Sequence, residues 1–429
     1  MNVCVVALGK IGLPLAVQFA NSGLSVVGAD INPVAVQQIN DGIEPFPGEA
    51  NLAEFLHNAL ASGRLRATTD TSAAVSTADV IIVVVPLIVG NDKQPDFRAL
   101  DAATRSIAAG LKPGALVIYE TTLPVGTTRT RFAPMLADGS GLALGEQLFV
   151  AFSPERVYSG RIFADLRRYP KLVGGIDSTS TKLAMQFYEQ ALQFDERVDL
   201  ARPNGVWDIG TSEAAELAKL AETTYRDLNI AFANELAKFS DQHGIDVMQV
   251  IDACNSQPFS HIHQPGIAVG GHCIPVYPRF YLAGDPHAAL PAAARDVNDS
   301  MPDYAIAKLI NVIGPLRGRR IAVLGAAYRG GVMETAFSGV FPLVASLAAC
   351  GAIPVVHDPL YTDAELVAFG FEVYHLGQSC DAAIVQAEHA EYRNLTSADI
   401  GGATVVVDGR RCVAANPDLH IITIGDGSR

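Results

Sequence analysis

Residues 2–16 read "NVCVVALGKIGLPLA". A β-rich run enters a turn containing Gly9 and Gly12, and helical spacing then carries on to Gly23. "LSVVGAD" follows as a second strand and ends in Asp30, 18 residues after Gly12. Strand, glycine turn, helix, strand and acid in that order form the plan of a dinucleotide-binding unit. The usual G-x-G-x-x-G pattern has Ala7 at its first position, with Gly9 and Gly12 in place. Gly9 lets the backbone approach a pyrophosphate, Gly12 lets helix and strand pack closely, and Lys10 and Ile11 complete the turn. Free N–H groups and the dipole at the helix N-terminus favour the phosphates. Ala7 is expected to fit with a negative φ. Asp30 is placed to bind the ribose hydroxyls and to repel a 2′-phosphate, so the expected cofactor is NAD and not NADP.

Further strands read as "ADVIIVVVP" (78–86, ending in Pro86), "GALVIYETT" (114–122), "QLFVAFSPE" (147–155) and "KLVGG" (171–175). Near-continuous Val/Ile runs between helices predict parallel strands buried on both faces, hence a doubly wound sheet over roughly the first 200 residues. Pro86 and Thr122, at the ends of two of these runs, join the expected cofactor residues. Strand signals stop near 208. "DIGTSEAAELAKLAETTYRDLNIAFANELAKFSDQHG" predicts one long helix with Thr211 or Ser212 as cap and Gly244 as stop. It reads as apolar nearly all round, so both faces are expected to be buried, part of them in a homodimer interface over 211–240. From "GRRIAVLGAAY" (318–328) the plan of strand, glycine turn, helix and strand-plus-Asp returns. The expected organisation is therefore α/β: a Rossmann domain at 1–207, a central helical segment at 208–314 and a second Rossmann-like domain at 315–429.

Composition narrows the function. The 429 residues carry a net charge of −14 and show no basic stripe, which argues against a nucleic-acid partner. There is no run of 18 apolar residues and no basic, cleavable start, so neither a membrane span nor a signal peptide is expected. The six cysteines (4, 254, 273, 350, 380 and 412) form no CxxC pair, which fits a reducing cytoplasm better than zinc or a disulfide framework.

One cysteine stands apart. Cys273 follows "QPGIAVGG" and lies in "GGHCIPVYP" (270–278), a glycine-rich loop and not a periodic apolar run. A buried structural thiol, a metal ligand beside His261, His263 and His272, and a nucleophile are the three readings. The histidine spacing matches no established zinc site. Oxidising an alcohol needs no nucleophile, but oxidising an aldehyde to an acid does: a thiolate adds to the carbonyl, hydride leaves the thiohemiacetal and water cleaves the thioester.

The chain resembles the UDP-glucose/GDP-mannose dehydrogenase family. The resemblance rests on "LGKIGLPLA" (8–16), "ETTLPVGTT" (120–128), "SPERVYSGR" (153–161), "AELAKLAETTYRDLNIAFANELA" (215–237), "QPGIAVGGHCIPV" (264–276), "ARDVNDSMP" (294–302), "AEHAEYRNL" (387–395) and "VVDGRR" (406–411). It implies a four-electron oxidation of C6 of a UDP- or dTDP-linked glucose or N-acetylhexosamine to the uronic acid, using two NAD. Cys273 would be the nucleophile, and Lys219 the cation facing the developing oxyanion. Glu155 would be the base or water-orienting group, and Thr122 would position that water. Arg156, Gln264, Gly266, Gly270, Gly271, Arg329 and Arg410 would line the nucleotide-sugar site. Read without the resemblance, Lys219 is a helix-surface lysine, Glu155 a helix-start carboxylate, Thr122 a cap and Arg410 a solvated turn residue.

Three positions depart from the family pattern. Thr223 stands for Asn four residues after Lys219, Tyr277 for Asp four residues after Cys273, and Ala336 for Arg in "ETAFS" (334–338). These departures permit a second reading, a nucleotide-sugar binder with impaired or partial oxidation. A hydroxyacid- or phosphogluconate-type dehydrogenase would explain neither the cysteine loop nor the last domain.

Overall fold

The computed structural model describes residues 1–90 and 92–428. They fall into two compact units, Met1–Glu222 with Arg279–Gly284, and Thr223–Pro278 with Asp285–Arg429.

The first unit is built on eight strands: β1 (Asn2–Val6), β2 (Ser25–Ala29), β3 (Leu65–Thr68), β4 (Val80–Val83), β5 (Ala115–Tyr119), β6 (Leu148–Phe152), β7 (Lys171–Gly175) and β8 (Val206–Thr211). Their spatial order is β8-β7-β6-β5-β4-β1-β2-β3. The chain winds outward from β1 in both directions, so the crevice between β1 and β4 is the topological switch point where α/β sheets bind ligands. β4, β5 and β7 are buried at every residue, as expected of strands covered on both faces. One expectation is corrected: β7 runs antiparallel to its neighbour β6. The link between them holds only a seven-residue helix, Ile162–Arg168, and turns the chain back on itself instead of crossing over. β8 was not foreseen in the sequence. It is a half-exposed edge strand with an irregularity between Asp208 and Thr211.

The second unit carries β9 (Arg320–Leu324), β10 (Ile353–His357), β11 (Ala382–Val385), β12 (Val405–Asp408) and β13 (His420–Thr423), all parallel, in the order β10-β9-β11-β12-β13. A single parallel bridge, Val356–Val373, flanks β10 where a Rossmann sheet has a further strand. The repeat read in the sequence extends to individual hydrogen bonds. In the first unit Asp30 accepts from the N–H of Leu8 at 2.7 Å and of Asn32 at 2.9 Å. In the second, Asp358 accepts from Ala326 at 2.8 Å, Ala327 at 2.9 Å and Leu360 at 2.9 Å. In both, the acid ending the second strand braces the turn that follows the first.

The long helix spans Ser212–His243, and Gly244 ends it at φ +69°. The Thr211 hydroxyl caps it by accepting from Ala214 N–H at 3.2 Å. Its expected all-round apolarity is corrected, because the pattern is inverted. At 100° per residue, Glu216, Lys219, Thr223, Asp227, Asn234 and Asp241 share an arc of roughly 80°, and all are buried. Leu217, Tyr225, Phe232 and Phe239 share the opposite arc and are exposed, Tyr225 at 61% and Phe239 at 59%. Counting apolar residues hid this, because alanines are spread around the whole circumference of the helix.

Candidate active site

The turn after β1 is held from both sides. Ala7 N–H donates to Ala29 carbonyl at 2.8 Å, and Leu8 N–H to Asp30 at 2.7 Å. Held this way, Ala7 adopts φ +75°, which overturns the expected negative value. The left-handed region costs a residue with a Cβ about 1–2 kcal/mol. Gly12 is obligatory for a different reason: a Cβ there would lie 1.9 Å from the Ala7 carbonyl oxygen. Gly9 faces open space. The helix Gly12–Asn21 begins at Ile11 without a side-chain cap; Leu13 N–H turns back to the Gly9 carbonyl at 3.1 Å. Lys10 and Pro86 are exposed beside it. An open backbone at Gly9, an uncapped helix start and a braced carboxylate at Asp30 fit a dinucleotide.

At the ends of β5 and β6 and the start of β7 lies a buried charged cluster. The Lys171 ammonium donates to Glu120 and to Glu155, each at 2.8 Å. Tyr188 donates its hydroxyl to the other Glu120 oxygen at 2.5 Å, and Arg156 N–H donates to Glu155 at 2.7 Å. Burial pushes the Glu120 carboxyl up to about 7, opposed by Lys171 and reinforced by the Glu155 charge. Burial acts on Glu155 too, but Lys171 and the Arg156 N–H outweigh it and hold that carboxyl low. Glu155 is thus no helix-start residue. Thr122 is buried next to this cluster in sequence, and the adjacent Thr121 hydroxyl donates to Val85 carbonyl at 2.7 Å. Lys219 is buried at 8% exposure. Arg156 pairs with Glu222 at 2.9 Å. The sequence reading passed over Glu120, Lys171 and Tyr188, although a charge at the end of an all-apolar strand, in "ALVIYE" and "KLVGG", was a usable signal.

In the second unit the inward polar stripe of the long helix supports the loop ahead of Cys273. Asn234 accepts from Gly266 N–H at 2.9 Å and donates to Asn298 at 2.8 Å. Asn298 donates to Asp227 at 2.8 Å, and Asp227 pairs with Arg295 at 2.9 Å. Ile267 N–H donates to Gly409 carbonyl at 3.0 Å, next to Arg410. Arg410 is no solvated turn residue: it donates to the carbonyls of Gln386 at 2.7 Å and Tyr328 at 3.3 Å. Arg329 donates to the Tyr328 hydroxyl at 3.0 Å. Gln264 is exposed.

The glycines before Cys273 are required by packing. A Cβ on Gly270 would meet Tyr328 Cβ at 2.6 Å, and Gly271 has φ +92°. Gly271 N–H donates to the carbonyl of Ala336 at 2.8 Å. The departing segment 334–338 therefore anchors the cysteine loop through its backbone, although the arginine side chain is gone. Cys273 itself is exposed, and its thiol donates to the Tyr277 hydroxyl at 3.8 Å. Its carbonyl accepts from Tyr277 N–H at 2.9 Å, at the start of the helix Tyr277–Gly284. Among the described residues, no group of three His, Cys, Asp or Glu side chains is arranged to hold a metal.

Three family models match the chain in order: the NAD binding domain of the UDP-glucose/GDP-mannose dehydrogenase family over 1–192, its central domain over 213–300 and its UDP binding domain over 322–415. The chain belongs to the UDP-glucose/GDP-mannose dehydrogenase family. It is a NAD-dependent nucleotide-sugar dehydrogenase. It is 32% identical to the UDP-N-acetyl-D-mannosamine dehydrogenase of Pyrococcus horikoshii, over 97% of both chains. It is also 32% identical to an NDP-N-acetyl-D-galactosaminuronic acid dehydrogenase of Ralstonia nicotianae, over 95% of both. Among solved structures, the UDP-D-ManNAc dehydrogenase of P. horikoshii superposes with a TM-score of 0.88 at 32% identity, over the whole of both chains. The NDP-N-acetyl-D-galactosaminuronic acid dehydrogenase of Methanosarcina mazei Go1 gives 0.85 at 29% identity, covering 99% of this chain and 96% of the other. Among the described residues, no helix of this dehydrogenase is long and apolar enough to cross a membrane.

Proposed function

We propose that this dehydrogenase oxidises the C6 hydroxyl of a nucleotide diphospho-hexose to the uronic acid, in two steps that consume two NAD. The N-acetylhexosamine named in both groups of relatives is the favoured sugar. NAD, when bound, supplies the hydride acceptor for each step. The observation that carries the reading is the state of Cys273. Its thiol is exposed in a loop fixed at Gly266, Ile267 and Gly271, so it is held in place yet open to a carbonyl.

The Cys273 thiolate forms a bond to the C6 aldehyde carbon as the carbonyl π bond opens, the Lys219 ammonium stabilises the oxygen that gains charge, and Thr223 donates to the same oxygen. The C6–H bond of this thiohemiacetal then breaks with loss of hydride, the C=O bond re-forms and a thioester results. Glu155 takes a proton from a water positioned by Thr122. As the water oxygen bonds to the thioester carbon, the C–S bond breaks and the thiolate leaves. Arg156, Gln264, Gly266, Gly270, Gly271, Arg329 and Arg410 hold the nucleotide sugar. In this reading 1–207 binds NAD, 208–314 carries the cysteine loop and 315–429 binds the nucleotide. Two copies pair through the outward stripe Leu217, Tyr225, Phe232 and Phe239, in the cytoplasm, and the uronic acid feeds polysaccharide or secondary-metabolite sugar assembly.

A second reading, binding with only partial oxidation, draws on Thr223, Tyr277 and Ala336. The experiment is a panel of UDP-, dTDP- and GDP-sugars mixed with protein and NAD, scored for NADH and for product. Two NADH per uronic acid is the expected result. One NADH with free aldehyde favours the second reading, and no NADH with any sugar overturns the first.

A further inference from the structure

Glu120 and Glu155 grip the same ammonium, at 2.8 Å each, with Glu120 and Lys171 closed to solvent and Glu155 at the edge of the buried region. Glu120 is 2% exposed and Lys171 4%. The charged and titratable groups set against Glu120 are Lys171 from β7, Glu155 from the segment after β6, and Tyr188 from the helix Ser178–Ala191. Two carboxylates and one ammonium leave a surplus negative charge in a medium that tolerates it poorly, so the site is built to hold one extra proton. We propose that Glu120 is a positioning residue that sets the proton affinity of Glu155, with Lys171 as the shared counter-ion.

This rests on the reading of Glu155 as the base. With Glu120 ionised, the cluster is negative and Glu155 draws a proton from the attacking water readily. With Glu120 protonated, Lys171 belongs to Glu155 alone, and Glu155 becomes a weaker base. The proton on Glu120 is never passed to the sugar. Its presence or absence changes only how strongly Glu155 accepts one. Burial places the Glu120 transition at about 7, so turnover rises as pH passes through neutrality.

The test is the pH profile of kcat for the wild type, Glu120→Gln and Tyr188→Phe, with infrared titration of the carboxyl C=O band on the same proteins. The wild type is expected to show a limb near pH 7 and a carboxyl band that titrates with it. Glu120→Gln loses the limb and reduces the band near pH 7 to the part that Glu216 contributes. Tyr188→Phe removes a donor to the Glu120 carboxylate and moves both upward. An active Glu120→Gln with an unchanged limb overturns the proposal. Should that variant fail to fold, an unmoved limb and band in Tyr188→Phe overturn it. Glu155→Gln at wild-type turnover, with the titrating band still present, instead refutes Glu155 as base.

Discussion

The Tyr277 hydroxyl lies 3.8 Å from the Cys273 sulphur, across one turn from 273 to 277 that is closed by the Tyr277 N–H on the Cys273 carbonyl at 2.9 Å. The tyrosine stands where the family pattern has an acid; its hydroxyl accepts from the thiol here, and once the sulphur has lost its proton the same hydroxyl is placed to donate to the thiolate. Cys273→Ser is expected to abolish uronic acid formation while the nucleotide sugar still binds in calorimetry. Tyr277→Phe is expected to lower kcat about tenfold, the worth of one hydrogen bond to a charged group, with KM little changed. Wild-type turnover in Cys273→Ser removes the thiol from the mechanism.

Ala7 carries a Cβ at φ +75°. Glycine removes that strain but adds freedom to the unfolded chain, so Ala7→Gly should stabilise the protein by about 1 kcal/mol net. A rise in denaturation midpoint at constant m-value is the expected measurement. Ala7→Val should move it the other way.

Glu216 caps the turn at residues 126–128. It accepts from Gly126 N–H at 2.5 Å, Thr128 N–H at 2.8 Å and the Thr128 hydroxyl at 2.7 Å. Burial outweighs these donors and pushes its carboxyl up to about 7. A raised carboxyl favours the folded state while protonated. That contribution is complete below the ordinary value of 4.5 and is lost as pH rises to about 7. Its size is on the order of 3 kcal/mol. The melting temperature should fall between about pH 5 and 8, and the fall should be smaller in Glu216→Gln. Equal slopes would show that other groups govern it.

Tyr225, Phe232 and Phe239 recur every seven residues on the outward arc of the long helix. An aromatic stripe of this size is costly to leave in water. Phe232→Glu with Phe239→Glu should convert a dimer to a monomer in light scattering, without loss of helix by circular dichroism. A wild-type monomer at micromolar concentration would place the dimer contact elsewhere or nowhere.

Much of the architecture is visible in local patterns. Apolar runs mark the buried strands, Gly23 and Gly244 mark helix ends, and Gly12 marks the close crossing over Ala7. Individual candidates such as Cys273 and Asp30 also stand out, because their neighbours are unusual for a core. The roles of the glycines at 270 and 271 were harder to read. Their crowding comes from Tyr328 and Phe337, more than 50 residues along the chain, which no local window contains.

Residue order thus settles what each segment is: strand, turn, helix, cysteine loop and acid at a strand end. Hydrogen-bond geometry and burial decide the rest. The antiparallel β7, the positive φ at Ala7 and the inward polar stripe of the long helix depend on partners distant in sequence. So does the Glu120–Lys171–Glu155 cluster. A carboxyl's charge state is set by what surrounds it once water is excluded, and folding alone brings Lys171 and Tyr188 to Glu120.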